Sequence, residues 1–486
     1  MNGLSLVAQN VHDVVVGGQR MLFHIPTTGL FEMDEVSGAV LDLFKNHDRV
    51  TPDILRGSLE GRFGPEELGD TVQSFLKLDI VRDARKPGAA VEPIKVENFP
   101  LSTMVLNVTT GCNLSCTYCY KEDLATPAKG QRMEFKTAVD SFELLLRQAK
   151  DRDRVNLVFF GGEPLSNLPL IREVVEYAEK RAREAGKTVD FSLTTNATLL
   201  SEEIVDWLDA HRFGLTVSMD GPKALHDLHR KTVGGKGSYD AVVSKTRMLL
   251  ARYRSRPVGA RVTLTRGVTD VLAIHDHLKN DIGFFEVGFS PATSGDISEF
   301  NLTEAELAKV FADMKTLGQR YVEAALRDEN IGFANMHQLM TDLSDGTKKS
   351  VPCGAGVGML AVDGDGDLHL CHRFTGSKMP TFGNVETGID GKSLGAFIEE
   401  AQDKTARACG SCRIRNLCAG GCYHESYARF EDPHSPVYHY CDLMRDWVDF
   451  GISAYTRIIE KNPGFLKRHV EPRTQRRQAV QGSLSS

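Results

Sequence analysis

Three cysteines stand close together in Gly111-Cys-Asn-Leu-Ser-Cys-Thr-Tyr-Cys-Tyr120, spaced C-x3-C-x2-C with an aromatic residue after the last. Thiolates so near in sequence can converge on one inorganic centre, and bacterial iron–sulfur sites draw their ligands from such runs. Three thiolates leave one iron of a four-iron cluster without a protein ligand, the mark of a catalytic cluster rather than an electron carrier. The competing reading is a structural zinc knuckle, which wants a fourth Cys or His nearby. His24 and His211 are poorly placed for that role.

The other seven cysteines read Cys353-x12-Gly366-x4-Cys371, then Cys409-x2-Cys412-x5-Cys418-x3-Cys422, then Cys441. The C-x2-C pair by itself would also suit a zinc ribbon. The N-terminus lacks the basic region and apolar core of a secretion signal. The ten cysteines therefore point to metal or catalysis rather than disulfides. Other polar groups recur at the ends of apolar runs. Phe160-Gly-Gly-Glu-Pro164 offers two glycines for close backbone approach and Glu163 for a ligand ammonium group. Ser192, Thr194 and Asn196 close one run, and Ser218 and Asp220 another. They suit ribose hydroxyls and the polar end of an amino acid, and each could equally cap a following helix. Asp363-Gly-Asp-Gly-Asp367 resembles a calcium loop, but Phe374 stands where a bidentate Glu is required, so a hairpin turn is expected there.

The elements that must position these groups are legible as alternating strands and helices. Strands are expected at 104–108, 155–160, 189–193, 214–218, 260–264 and 285–289, and helices at 136–149, 169–185, 202–210, 238–252 and 271–278. Six βα units imply a parallel sheet in a partial (β/α)6 barrel, short of the eight of a closed one, with ligands at the carboxyl ends of the strands. The three clustered cysteines fall directly after the first of these strands. Ahead of them, residues 1–97 hold no cysteine and carry 10 Lys and Arg against 15 Asp and Glu, a net of −5. Short strands around Val14–Val16 and from Arg20 to Ile25, then helices from Asp34, Thr51 and Pro65, give a winged-helix-like unit. Pro and Gly at 86–93 mark a linker.

The expected domains are 1–97 (winged-helix-like), 98–300 (partial barrel), 301–352 (helical bridge), 353–445 (second cysteine region) and 446–486 (a helix and a basic tail). The 486 residues, 41% hydrophobic and 25% charged, suit an ordinary multidomain globular protein. No apolar run reaches membrane-spanning length, and the net charge of −7 argues against nucleic acid as a partner. A cytoplasmic location is expected.

C-x3-C-x2-C after the first strand, Gly-Gly-Glu-Pro after the second and Ser-x-Asp-Gly-Pro after the fourth together resemble the radical S-adenosylmethionine (SAM) enzymes, over roughly residues 100 to 445. The resemblance implies a 4Fe–4S cluster on Cys112, Cys116 and Cys119, and cleavage of SAM to methionine and a hydrogen-abstracting deoxyadenosyl radical. It implies that Tyr118 and Tyr120 line the adenine, and that Gly161, Gly162 and Glu163 hold the methionine amino group. Ser192, Thr194, Asn196, Ser218 and Asp220 would line the ribose and carboxylate. Arg230 would approach the SAM carboxylate as part of the catalytic machinery. The later cysteines are similar to the seven-cysteine SPASM domain, which implies two further 4Fe–4S clusters, three in all. Cys353, Cys371 and Cys422 would serve one; Cys409, Cys412, Cys418 and Cys441 the other.

SPASM proteins mostly modify ribosomally made polypeptides, and the N-terminal unit resembles their leader-recognition element, which binds a leader strand by β-augmentation. A flavodoxin- or ferredoxin-type electron donor is implied. The stretch from Cys112 to Leu124, with Ile25-Pro-Thr-Thr-Gly-Leu-Phe31, is most similar to maturases of quinohemoprotein amine dehydrogenase. This implies thioether cross-links from Cys sulfur to the methylene carbon of Asp or Glu. Anaerobic sulfatase maturases, which make formylglycine, are the alternative within the class. They carry an Asp base after the cysteine matching Cys371, where this chain has His372, itself a candidate base. Another SPASM peptide maturase, or a zinc-stabilised peptide-binding adaptor with no activity, are the remaining readings.

Overall fold

A computed structural model of the protein describes residues 3–83, 99–119, 130–150, 152–292, 298–403, 409–435 and 439–472. Tyr120, the expected linker and the basic tail from Arg473 onward lie outside the described residues.

The N-terminal unit runs through β1 (Leu4–Leu6), β2 (Val11–Val16), β3 (Gln19–His24), β4 (Gly29–Glu32), α1 (Glu35–Asn46), α2 (Pro52–Leu59), α3 (Pro65–Lys77) and β5 (Val81–Asp83). β2, β3 and β4 form an antiparallel sheet, and β1 pairs with β5. Asp34 caps α1 by accepting from Ser37 N at 2.8 Å. Thr51 caps α2, with Pro52 in its first turn, as the sequence predicts. The stripe Val36, Val40, Leu41 and Phe44 meets Leu68 and Phe75 of α3 in a core separate from that of the rest of the chain. Polar contacts dock this unit onto the C-terminal region: His12 Nε2 to Asp449 Oδ1 at 2.9 Å, Asn416 Nδ2 to Ile25 O at 2.7 Å, and Arg415 Nη1 to Gln9 O at 2.7 Å.

All six expected central strands are present: β6 (Thr103–Thr109), β7 (Arg154–Gly161), β8 (Thr188–Thr195), β9 (Gly214–Ser218), β10 (Gly259–Leu264) and β11 (Glu286–Pro291). They pair in that order and all in parallel. The connections hold α4 (Phe135–Gln148), α5 (Leu168–Glu184), α6 (Glu202–Ala210), α7 (Lys223–His229), α8 (Tyr239–Arg252) and α9 (Val271–Asp276). Of these only α7 was not expected; its 7 residues are too few to establish an apolar period.

Alternation along the strands separates two faces. Leu157, Phe159, Phe191, Leu193 and Val217 are buried, with Phe159, Phe191 and Phe213 stacked at ring-centroid distances of 5.4 to 6.2 Å. Burial of each such side chain contributes about 1.5–3 kcal/mol. The intervening residues Phe160, Ser192, Thr194, Ser218 and Arg261 are only partly covered or exposed, and make up a second, polar face.

The C-terminal region adds α10 (Glu304–Leu326), α11 (Ala334–Ser344), β12 (Met359–Val362), β13 (Leu368–His369), α12 (Gly391–Gln402), α13 (Arg415–Cys418), α14 (Tyr423–Phe430) and α15 (Cys441–Lys461). β12 lies parallel beside β6, with Met359 opposite Thr103 and Val362 opposite Leu106, and β13 turns back antiparallel to it. The central sheet therefore has eight strands, in the order β11-β10-β9-β8-β7-β6-β12-β13, two more than the βα count predicts. Asp363 closes the β12–β13 turn by accepting from Asp365 N and Asp367 N, so the calcium-like motif is a hairpin turn.

Candidate active site

The loop after β6 carries Cys112, Cys116 and Cys119. The segment after α7 pins it: Ser115 N donates to Lys231 O at 2.8 Å and Thr117 N to His229 O at 3.0 Å. The end of β7 holds its other side. Gly162 N donates to Thr109 O, and Glu163 N to Gly111 O. A Cβ on Gly161 would stand 2.3 Å from Thr109 O, and one on Gly162 2.1 Å from Gly111 O. The two glycines are thus required by backbone packing against the cysteine loop, and not only by room for a ligand.

Glu163 is buried. Thr195 Oγ1 donates to its carboxylate at 2.7 Å, Asn196 N at 2.8 Å and Leu165 N at 3.2 Å. Burial outweighs these three bonds and pushes its pKa up to about 7. No Lys, Arg or His among the described residues pairs with it, and it lies near enough to act on Cys112. A buried carboxylate without a counter-cation beside the cysteine loop fits the ammonium group of an amino-acid ligand.

Asp220 and Arg230 form a buried ion pair. Asp220 is buried and its oxygens are already engaged by Tyr118 O–H at 2.5 Å, Arg230 Nε at 2.7 Å and Thr263 N at 2.9 Å. It is the counter-ion of Arg230. Burial opposes the Arg230 charge, but Asp220, Tyr118 and Cys116 together hold its pKa above the ordinary guanidinium value. The guanidinium also lies 5.6 Å from the Tyr118 ring centroid, and in turn acts on Cys116. His226 completes the network: its Nδ1 accepts from Asp220 N, and its Nε2 contacts Ser238 Oγ at 3.0 Å. Burial, then Arg230, pulls its pKa down to about 4, so it stays neutral. Neither His226 nor Thr195 was singled out for a site role; both act through hydrogen bonds that spacing does not reveal.

Ser192, Thr194 and Ser218 share the polar face, and Ser192 Oγ donates to Asn156 Oδ1 at 3.1 Å. Asn196 instead faces the cysteine loop, its Nδ2 donating to Asn113 Oδ1 at 3.0 Å and to Cys112 Sγ at 3.8 Å. His372 packs against Phe160 of that polar face in a tilted arrangement, with ring centroids 4.0 Å apart. Thr375 Oγ1 donates to His372 O and accepts from Asn107 Nδ2 of β6, both at 2.8 Å.

None of the ten cysteines is in a disulfide, and they fall into three mutually influencing sets: Cys112, Cys116 and Cys119; Cys353, Cys371 and Cys422; and Cys409, Cys412, Cys418 and Cys441. Burial pushes Cys116 and Cys371 up to about 12 and Cys353 and Cys418 to about 11. Solvent still reaches Cys112 and Cys353. Thiols in such surroundings ionise only beside a cation, as metal-bound thiols do. Among the described residues no three Cys, His, Asp or Glu side chains converge closely enough to clasp one metal ion.

The family model of the Radical SAM superfamily matches residues 106–276. The chain carries a radical SAM domain and is a radical SAM enzyme, and its C-terminal cysteines fit the SPASM pattern. A cysteine-type anaerobic sulfatase-maturating enzyme of Clostridium perfringens (strain 13 / Type A) is 24% identical over 374 residues, spanning 74% of this chain and 98% of the relative. A serine-type enzyme of Bacteroides thetaiotaomicron is 34% identical over 157 residues, 31% of this chain and 36% of that protein. The solved structure of native anSMEcpe with bound AdoMet and Cp18Cys peptide shares the fold at TM-score 0.63 and 21% identity, covering 74% of this chain and 98% of that one. No helix among the described residues is long and apolar enough to cross a membrane.

Proposed function

We propose that this enzyme is a peptide maturase that forms Cys-to-Asp or Cys-to-Glu thioether cross-links in the small subunit of quinohemoprotein amine dehydrogenase. One observation carries the reading. Two sets of three thiols adjoin the carboxyl end of β7, one through Glu163 beside Cys112, the other through Phe160 beneath His372. Chemistry on a substrate lying between them is favoured over simple electron transfer.

Cys112, Cys116 and Cys119 would hold one 4Fe–4S cluster, Cys353, Cys371 and Cys422 a second, and Cys409, Cys412, Cys418 and Cys441 a third. With SAM bound, the first supplies the electron that cleaves SAM and so a radical able to take hydrogen from a methylene group. Glu163 would receive the SAM ammonium, and Arg230 would offer the guanidinium nitrogens that Asp220 leaves unused. Tyr118, fixed by Asp220, would face the adenine. Ser192, Thr194 and Ser218 would meet the ribose, with Asn196 orienting the cysteine loop. His372 would take the substrate thiol proton. The product has lost one hydrogen from sulfur and one from carbon per link: the carbon hydrogen would leave on deoxyadenosine, the sulfur proton on His372, and the electron released as sulfur bonds to the carbon radical would pass to the second cluster.

The first 97 residues form, in this reading, a winged-helix-like leader-binding domain. β4 is an edge strand with Phe31 exposed, suited to pairing with an added strand. A quarter of this chain lies outside its alignment with the Clostridium perfringens enzyme, consistent with a module that protein lacks. The six parallel units act as a partial barrel, and residues 353–445 as the SPASM domain. A flavodoxin- or ferredoxin-type donor would deliver electrons.

The similarity to sulfatase maturases favours formylglycine formation as the second reading. Anaerobic reconstitution and turnover separate the two. About a dozen irons per chain, and small-subunit polypeptide lighter by two hydrogens per link in mass spectrometry, support the proposal. An aldehyde product would refute it, and zinc without visible absorption would leave only a binding adaptor.

A further inference from the structure

The loop from Cys412 to Cys418 is fastened to the N-terminal unit side chain by side chain. Arg413 shares Asp449 with His12 of β2, at 2.8 and 2.9 Å. Asn416 Nδ2 donates to Ile25 O at 2.7 Å. Arg415, the first residue of α13, donates through Nη1 to Gln9 O at 2.7 Å and through Nη2 to Asn10 Oδ1 at 3.4 Å. Its Nη1 also lies 3.5 Å from Cys412 O. Asn10 is buried and is itself fixed, its Nδ2 donating to Asp79 O at 2.9 Å and its backbone O accepting from Ile25 N at 2.9 Å. The guanidinium of Arg415 is therefore held in one place against a cysteine of the four-thiol set.

Arg413, Arg415 and Arg445 all border this set, and their charges are not equally available. Arg413 is paired with Asp449, and Arg445, which reaches Cys412 from α15, with Asp442. Arg415 instead spends its contacts on neutral oxygens and meets no carboxylate among the described residues. It carries the one uncompensated positive charge of the three. A guanidinium keeps its charge at any working pH. Its partly buried position leaves that charge less screened than one on the open surface.

We propose that the N-terminal unit has a second role: by holding Arg415 against Cys412, it raises the reduction potential of the cluster on Cys409, Cys412, Cys418 and Cys441. Cluster potentials follow net charge and the groups packed around the ligands. Reduction adds a negative charge, so a fixed cation beside one ligand favours the reduced form. Asn10 and the Gln9 carbonyl are positioning groups, since they act through Arg415. In the cross-linking reading, on which this purpose rests, a cluster so poised draws away the electron that each link releases.

Wild type, Arg415→Gln, Arg415→Lys and Asn10→Asp holoenzymes, matched for iron content, are titrated with a chemical reductant under electron paramagnetic resonance, without polypeptide. The signal missing from Cys412→Ala marks the cluster concerned. Arg415→Gln should disfavour its one-electron reduction by about tenfold, the scale of one charge at a partly buried site. Its potential then falls by about 59 mV, while those of the other two clusters hold. Arg415→Lys keeps the charge and should stay near wild type. Asn10→Asp keeps the arginine but sets a carboxylate against it, and its potential should fall as in Arg415→Gln. An unchanged potential in Arg415→Gln, or equal falls in the Gln and Lys variants, overturns the proposal. If Arg415→Gln does not load the cluster, Asn10→Asp decides, and a wild-type potential there overturns it. A wild type that loads only two clusters overturns it as well. The cross-linking reading is judged separately, by the loss of two hydrogens per link from the small-subunit polypeptide, and falls without that loss whatever the potentials are.

Discussion

Changing Glu163 to Gln isolates the electrostatics of SAM capture. The carboxylate has a pKa of about 7 in the folded chain against an ordinary value of 4.5. The folded value is the higher one, so folding takes up a proton between them. Ionising Glu163 therefore opposes folding increasingly as pH rises from about 4.5 to about 7, and the full penalty of ~3 kcal/mol holds above that. An ammonium group seated on the carboxylate offsets the penalty, so SAM should bind the ionised form. Its affinity is expected to fall about tenfold per unit as pH drops below about 7, while the SAM amino group stays protonated. Equilibrium dialysis of labelled SAM with the reconstituted enzyme, from about pH 6 to about pH 7.5, reads this directly. Glu163→Gln should bind weakly with a flat profile. A wild-type Kd independent of pH, or the same slope in the Gln variant, would refute the reasoning.

Four further outcomes follow from the geometry. Cys116→Ala should still bind substrate polypeptide but form no deoxyadenosine, with about four fewer irons per chain; undiminished iron would count against the ligand assignment. Asp220→Asn leaves Arg230 buried without its anion and should cost about 3–5 kcal/mol in chemical denaturation; an unchanged midpoint would show that the pair is not structural. Gly162→Ala drives a Cβ into Gly111 O, 2.1 Å away, so the cysteine loop must shift and about a third of the visible absorption should disappear; normal cluster loading would contradict this. Asp449→Ala removes contacts to both His12 and Arg413, and limited proteolysis should then release the N-terminal unit faster than in wild type.

The cysteine spacings and the six βα units were legible because each is a local pattern: a short-range ligand run, or a period of 2 followed by one of 3.6. The same holds for the caps at Asp34 and Thr51. What was not legible depends on distant pairing. β12 is four residues long, and nothing in Met359–Val362 announces that it will lie beside β6, more than 250 residues earlier. Asp220 reads as a ribose acceptor or a helix cap, and its ion pair with Arg230, ten residues away, depends on the fold. Gly161 and Gly162 were recognisable as necessary, but their tightest neighbour proves to be the protein's own backbone.

The pairing of β12 with β6 has a mechanical meaning. The strand that leads into the first cysteine loop and the hairpin that leads into Cys371 are hydrogen-bonded ribs of a single sheet. The two three-thiol sets therefore share one chassis and cannot slide past each other without breaking that ladder. In the proposed maturase, such a frame would keep the two sets at one fixed separation. A substrate held between them would meet both sets with no movement of the sheet.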